Sequence, residues 1–207
     1  MTSWWETIGI KKGKGGCGDV TEEQKNNTID HAVSTWKRMG LTDDQIAFGV
    51  AVMGLESGFN PNAKSESSSA HGLGQFTDDT WKDAVNHYNT RPEHKTRHEP
   101  DIDPDSGRSD PHSQIEVLGP WIRKTWERAG TIPSGQRPKG YSFDEIAYGK
   151  CHGGQSKSPE DIGKFLANPT EYNNPNKRGY FTTNVDRARQ AVRMRNAGGW
   201  VAMEGQP

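Results

Sequence analysis

Glu56 closes the longest strongly apolar run of the chain, Ile46 to Leu55. At helical spacing its neighbours at i−4 and i−3 are Val52 and Met53, so the carboxyl leaves a hydrophobic face instead of a solvated one. Desolvation there favours the protonated acid, which is the form that can hand a proton to a glycosidic oxygen. The competing reading makes Glu56 the first exposed residue after a core helix, with no chemistry to do. Two other constellations invite chemistry less strongly. Gly13-x-Gly15-Gly16-x-Gly18 has the spacing of a dinucleotide turn, but amphipathic helix follows where a second strand ending in an acid is needed. Asp101-x-Asp103-x-Asp105-x-Gly107 is one residue out of register for a calcium loop, with His112 at the closing position. Even with His87, His94 and His98 nearby, a solvated loop is the better reading, and neither metal nor cofactor is expected.

The elements that must hold Glu56 are helical. Thr21-x-x-Gln24, Thr42-x-x-Gln45 and Ser142-x-x-Glu145 have capping-box spacing, each opening a helix. The first carries Ile29, Val33, Trp36 and Met39 to a stop at Gly40, and the second is apolar all round and so should be buried. Thr77-Asp78-Asp79 starts a third around Trp81, Ala84, Val85 and Tyr88. Asp110-Pro111 opens a fourth, kinked at Pro120 and ended by Gly130. Ser158-Pro159 begins a short helix, and Val185 to Ala197 reads as the last, giving seven segments and no strand pair. Residues 86–112 lack periodicity and read as a long surface loop, and residues 1–20 as an arm of unknown role before a domain spanning 21–207.

Only 30% of residues are hydrophobic, but a net charge of −1 removes the self-repulsion that disorder needs. The same balance gives no reason to expect nucleic acid as a partner. The apolar run is far short of the ~20 residues of a membrane-spanning helix. Met1 to Glu6 shows no secretory signal, so the gene product is expected to start in the cytosol. Cys17 and Cys151 read as free thiols, with a single bridge left open. Arg187, Arg189, Arg193 and Arg195 form a basic face on the last helix that could meet an anionic envelope.

Glu56-Ser57-Gly58-Phe59-Asn60-Pro61-x-Ala63, followed by Ala70-His71-Gly72-Leu73-Gly74-Gln75-Phe76, resembles the signature of soluble lytic transglycosylases and goose-type lysozymes. Asp110-Pro111-x-x-Gln114-Ile115 and Ala147-Tyr148 extend the likeness, in order, over Thr21 to Gly154. Gly74 stands where that family usually has Met. One extra residue before Ala70 leaves Ser65, Ser67 and Ser68 as candidates for the family's serine, of which Ser65 is taken, and the usual Asn-Ala-Gly after Tyr148 is replaced by Gly149-Lys150-Cys151-His152-Gly153, a form closer to some phage-borne relatives.

The resemblance implies an all-α, lysozyme-like helical domain with a substrate cleft beside a buried central helix. It implies Glu56 as sole catalytic acid/base, and Ser57, Ser65, Gln75, Phe76, Tyr148 and His152 as substrate-binding residues. The partner implied is the glycan strand of peptidoglycan, cut by a monomer at the MurNAc-GlcNAc bond with formation of a 1,6-anhydro end, as a phage endolysin would do it. The alternatives are a goose-type lysozyme, which needs a second carboxylate such as Asp78 or Asp79 in the cleft, and a catalytically silent wall-binding virion protein.

Overall fold

The computed structural model describes residues 20–96, 99–152, 158–168, 172–173 and 175–196. The expected arm, its glycine turn and Cys17 lie outside these, apart from Val20, as does His98. Among the described residues the fold is all-α. Its helices are α1 (Glu22–Arg38), α2 (Asp43–Ser57), α3 (Asp78–Thr90), α4 (Pro92–Thr96), α5 (Pro111–Gly130), α6 (Phe143–His152), α7 (Pro159–Ala167) and α8 (Pro175–Asn196). No strand occurs among the described residues, only single bridges from His71 to Lys64 and Phe76. No helix of the described residues is long and apolar enough to cross a membrane.

Local chemistry explains the starts. Thr21 and Thr42 accept from the backbones of Gln24 and Gln45, whose amides in turn accept from the two threonine N–H groups. Ser142 and Glu145 make the same reciprocal pair at α6. Asp110 and Ser158 cap helices that begin on proline, where the missing N–H has no intrahelical partner to lose. Helix α5 runs on through Pro120 to Gly130.

Helix α2 is the axis of the core, with α1, α5 and α8 packed around it. Trp36 of α1 fixes how closely α2 and α5 approach. It is fully buried, and a Cβ added to Gly49 of α2 or Gly119 of α5 would each stand 2.6 Å from its ring. Two absent side chains thus make the slot, and the indole N–H donates to the Ile115 carbonyl at 2.9 Å to fix the ring's rotation within it. Burying an aromatic that size removes roughly 150–250 Å² from water, worth about 4–6 kcal/mol. On the other side Phe48 of α2 meets Trp126 at 5.3 Å and Phe181 of α8 at 6.2 Å.

Two expectations need correcting. Residues 86–112 are not one structureless loop: α3 continues to Thr90, α4 follows, and residues 107–109 form a 3-10 turn. A polar network holds them, in which buried His94 lies between Glu99 at 3.3 Å and Asp101 at 2.9 Å while Arg91 pairs with Glu99 at 3.0 Å. Asp103, placed in the calcium register, instead accepts from the Asp105 and Ser106 backbones and the Ser106 hydroxyl. The last helix begins at Pro175, ten residues ahead of Val185, because Arg178 is drawn to Glu145 of α6 at 2.6 Å. Of the basic face on this helix, Arg189 bridges Asp44 of α2 at 2.8 Å and Asp144 of α6 at 2.7 Å.

Candidate active site

Glu56 stands in the last turn of α2, which ends because Gly58 adopts a left-handed φ of 59° and returns its N–H to the Met53 carbonyl. The next residue, Phe59, is also left-handed at φ 66°, and it folds its ring back so tightly that a Cβ on Gly54 would lie 3.0 Å away. The turn therefore ends the helix abruptly at the acid. The Glu56 side chain is 17% exposed, so it is sheltered yet open on one side.

Helix α6 supplies the other face. Tyr148 donates its hydroxyl hydrogen to Glu56 Oε1 at 2.7 Å. Its ring is buried among Phe165, Tyr172 and Phe181, with centroids 4.8–6.0 Å away. Burial first, and the Glu56 charge second, push the phenol well above its ordinary value, so it remains a donor. One turn on, His152 brings Nδ1 to 3.7 Å from Oε1, its ring stacked on Phe165 at 4.6 Å. Cys151 lies beside them as a free thiol, pushed up to about 12 by burial and then by the Glu56 charge, which leaves it protonated and unreactive as a nucleophile.

The opposite wall is the segment from Ala63 to Thr80, and between the walls lies a cleft of about 330 Å³. Its shape rests on two side chains from outside the segment. Gln114 of α5 accepts from Leu73 N at 2.8 Å and donates to the carbonyls of Pro61 and Arg108, both at 2.9 Å. Gly72, at φ 81°, leaves room for it: a Cβ there would lie 2.5 Å from Gln114 Oε1. Arg108 donates to the carbonyls of Ser69 and Phe76 at 2.6 Å and pairs with Asp78. The sequence marked Gln114 only as part of a helix opening and gave no sign of Arg108. A buried glutamine one turn after a helix cap, facing a glycine-rich segment, is the signal that was there for the first.

The residues singled out in the sequence divide as follows. Glu56, Ser65, Gln75, Phe76 and His152 all line the cleft, and Tyr148 reaches it through its hydroxyl. Ser57 does not: it is fully buried, with its hydroxyl on the Met53 carbonyl at 3.0 Å, because at one residue past Glu56 it points into the core. Gln75 spends both amide protons on the Ala63 and Gly72 carbonyls, leaving its own oxygen for a ligand. Phe76 serves cleft and core together, its ring 5.4 Å from Trp121 and 6.5 Å from Trp81. Where the resemblance leads one to expect Met, a Cβ on Gly74 would already press on Leu118 at 3.2 Å and Phe76 at 3.3 Å. The Phe76 ring occupies that space. Among the lining residues Glu56 is the one carboxylate, Asp78 being turned to Arg108.

Residues 27–103 match the family model of phage tail lysozymes. Over that stretch the chain is phage lysozyme-like. The phage lysozyme-like stretch carries Glu56 and the wall from Ser65 to Phe76, while Tyr148 and His152 lie beyond it. In general terms the family supports a peptidoglycan-lytic phage protein. Comparison with curated proteins and comparison with solved structures each return no match.

Proposed function

We propose that the protein is a peptidoglycan lytic transglycosylase in which Glu56 performs both proton transfers. Protonated Glu56 gives its proton to the glycosidic oxygen as the bond from muramic acid C1 to that oxygen breaks. The C6 hydroxyl of the same sugar then attacks C1 and returns its proton to the Glu56 carboxylate, which closes the 1,6-anhydro ring and restores the acid. No water enters. The observation that carries this reading is the cleft's single carboxylate, held by the Tyr148 hydroxyl at 2.7 Å, since hydrolytic glycosidases commonly need a second carboxyl group for the nucleophile or the water.

A lysozyme built on the same Glu56 is the rival, and His152, at 3.7 Å, is the group that would have to activate its water. Mass analysis of released muropeptides separates the two. Anhydro ends, one water lighter than hydrolytic products, are expected, and reducible muramic acid ends would make it a hydrolase. Glu56→Gln should lower turnover by about 10²- to 10⁴-fold while keeping substrate binding. Near-normal turbidity clearance by that variant would sink both readings. For its setting we propose an endolysin that reaches the wall from the host cytoplasm. The description of the matched family as tail lysozymes favours a virion-borne role instead, and finding the protein in purified particles would decide for it.

A further inference from the structure

A pair of histidines has no part in the chemistry of the cleft. His31 lies in the middle of α1 and His112 in the first turn of α5, 81 positions apart in sequence, yet His31 Nε2 and His112 Nδ1 stand 2.9 Å from each other. The rings meet edge to face, with centroids 4.4 Å apart and planes at 89°. At that distance one ring donates its N–H to the lone pair of the other. The bond needs at least one neutral ring, since two imidazolium rings would set N–H against N–H. Burial first, and His112 second, hold His31 below its ordinary value. Neutral imidazole is the form that ligates a metal.

The helices that carry the two rings are fixed independently of them. Trp36 of α1 donates to the Ile115 carbonyl of α5 at 2.9 Å, and Arg38 of α1 pairs with Glu116 of α5 at 2.5 Å. Asp110 caps α5 by accepting from the backbones of His112 and Ser113. The backbone under both histidines is therefore set before any ligand arrives, which lowers the ordering cost of binding. Bonds of about 2.0–2.1 Å from imidazole nitrogen to a metal put two nitrogens about 2.8–3.0 Å apart at a right angle, and about 3.3–3.4 Å apart at a tetrahedral one. The observed 2.9 Å matches the right angle. We propose that His31 and His112 form a two-nitrogen site for a metal of tetragonal preference, copper(II) or nickel(II), and that the metal clasps α1 to the first turn of α5. The proton between the rings moves to the far nitrogen of its own ring, so both lone pairs turn to the metal and no proton is lost. Among the described residues no three His, Cys, Asp or Glu side chains gather in a way that could hold a metal, so water takes the remaining positions. His112 is exposed and leaves them open to solvent. Magnesium, which demands oxygen ligands, does not fit such a site.

The site stands apart from the glycosidase reading and is tested without it. Thermal unfolding is followed with nickel(II) and with magnesium(II) for the wild type, His31→Gln, His112→Gln and His87→Gln, a histidine of α3. At a hundredfold excess of nickel over its calorimetric Kd, the wild type and His87→Gln should melt about 5–10 °C higher, with no shift in magnesium. Each of the other two variants should lose at least two-thirds of the rise. His112 is exposed, so His112→Gln keeps the test open if His31→Gln melts early without metal. Copper(II) bound to the wild type should show the electron-paramagnetic signature of two imidazole nitrogens, absent from both variants. No rise with nickel, a rise of equal size in His112→Gln, or an equal rise with magnesium overturns the proposal. A copper signal that neither variant alters means an adventitious ion only and overturns it as well.

Discussion

Tyr148→Phe removes one oxygen from the interior and with it the 2.7 Å hydrogen bond that Tyr148 donates to Glu56 Oε1. The ring's aromatic neighbours remain, so the packing that holds α6 against α7 and α8 is kept. A hydrogen bond to a charged group is worth about 1.5–3 kcal/mol, and at 1.4 kcal/mol per decade the loss is ~10- to 150-fold in any step that needs the carboxylate held in place. Little water can replace it, because Tyr148 is 1% exposed. The hydroxyl points at Glu56 and not at sugar, so the loss should fall on kcat with KM nearly unchanged. Muropeptide release under saturating and dilute substrate, with thermal unfolding measured alongside, reads all three quantities. A kcat within twofold of wild type would refute the assignment of Tyr148 as the residue that positions the acid. A loss confined to KM would move Tyr148 to the substrate.

Gly119→Ala places a methyl 2.6 Å from the Trp36 ring, and overpacking of about 1–3 kcal/mol should exceed the ~1 kcal/mol that alanine gains in a helix, lowering the denaturant midpoint; an unchanged midpoint would mean the slot is not tight. Gln114→Ala leaves Leu73 N–H and two carbonyls without their partner, so a loss of about 2–4 kcal/mol is expected, with hydrogen exchange rising first across residues 61–76; uniform exchange would refute its role as the clamp of that wall. Buried Cys151 is raised from 9.0 to about 12, so the folded state keeps its proton where the unfolded state loses it. The stability it contributes is complete below pH 9 and declines as pH rises from there towards 12, and Cys151→Ala should flatten part of that decline in urea titrations at graded pH.

Helix starts were legible because a capping box is closed by residues three apart: Thr21 with Gln24, Thr42 with Gln45 and Ser142 with Glu145 are bonded as their spacing implies. The buried character of α2 was legible for a similar reason, since an apolar run needs no knowledge of its partners. What failed was whatever depends on polar contacts across the chain. Residues 92–96 are helical around a buried histidine whose partners, Glu99 and Asp101, offer no apolar period to detect. The start of α8 reads as polar linker until Arg178 is seen to meet Glu145, 33 residues earlier. Ser57 was misplaced by treating neighbours in sequence as neighbours in the cleft, although a residue one step along a helix faces about 100° away. Arg108 carries no local pattern, because its acceptors are backbone carbonyls more than 30 positions back.

The bond between Glu56 and Tyr148 joins residues 92 positions apart, and α2 is packed against α8, the last described helix. A chain growing from its N-terminus on the ribosome makes the acid long before the phenol that steadies it, and before the Arg189 staple that ties Asp44 to Asp144. An unfinished chain that stops before residue 143 carries the whole phage lysozyme-like stretch and still lacks the posture of its acid. The geometry of the candidate site is thereby completed only once α6 has been made.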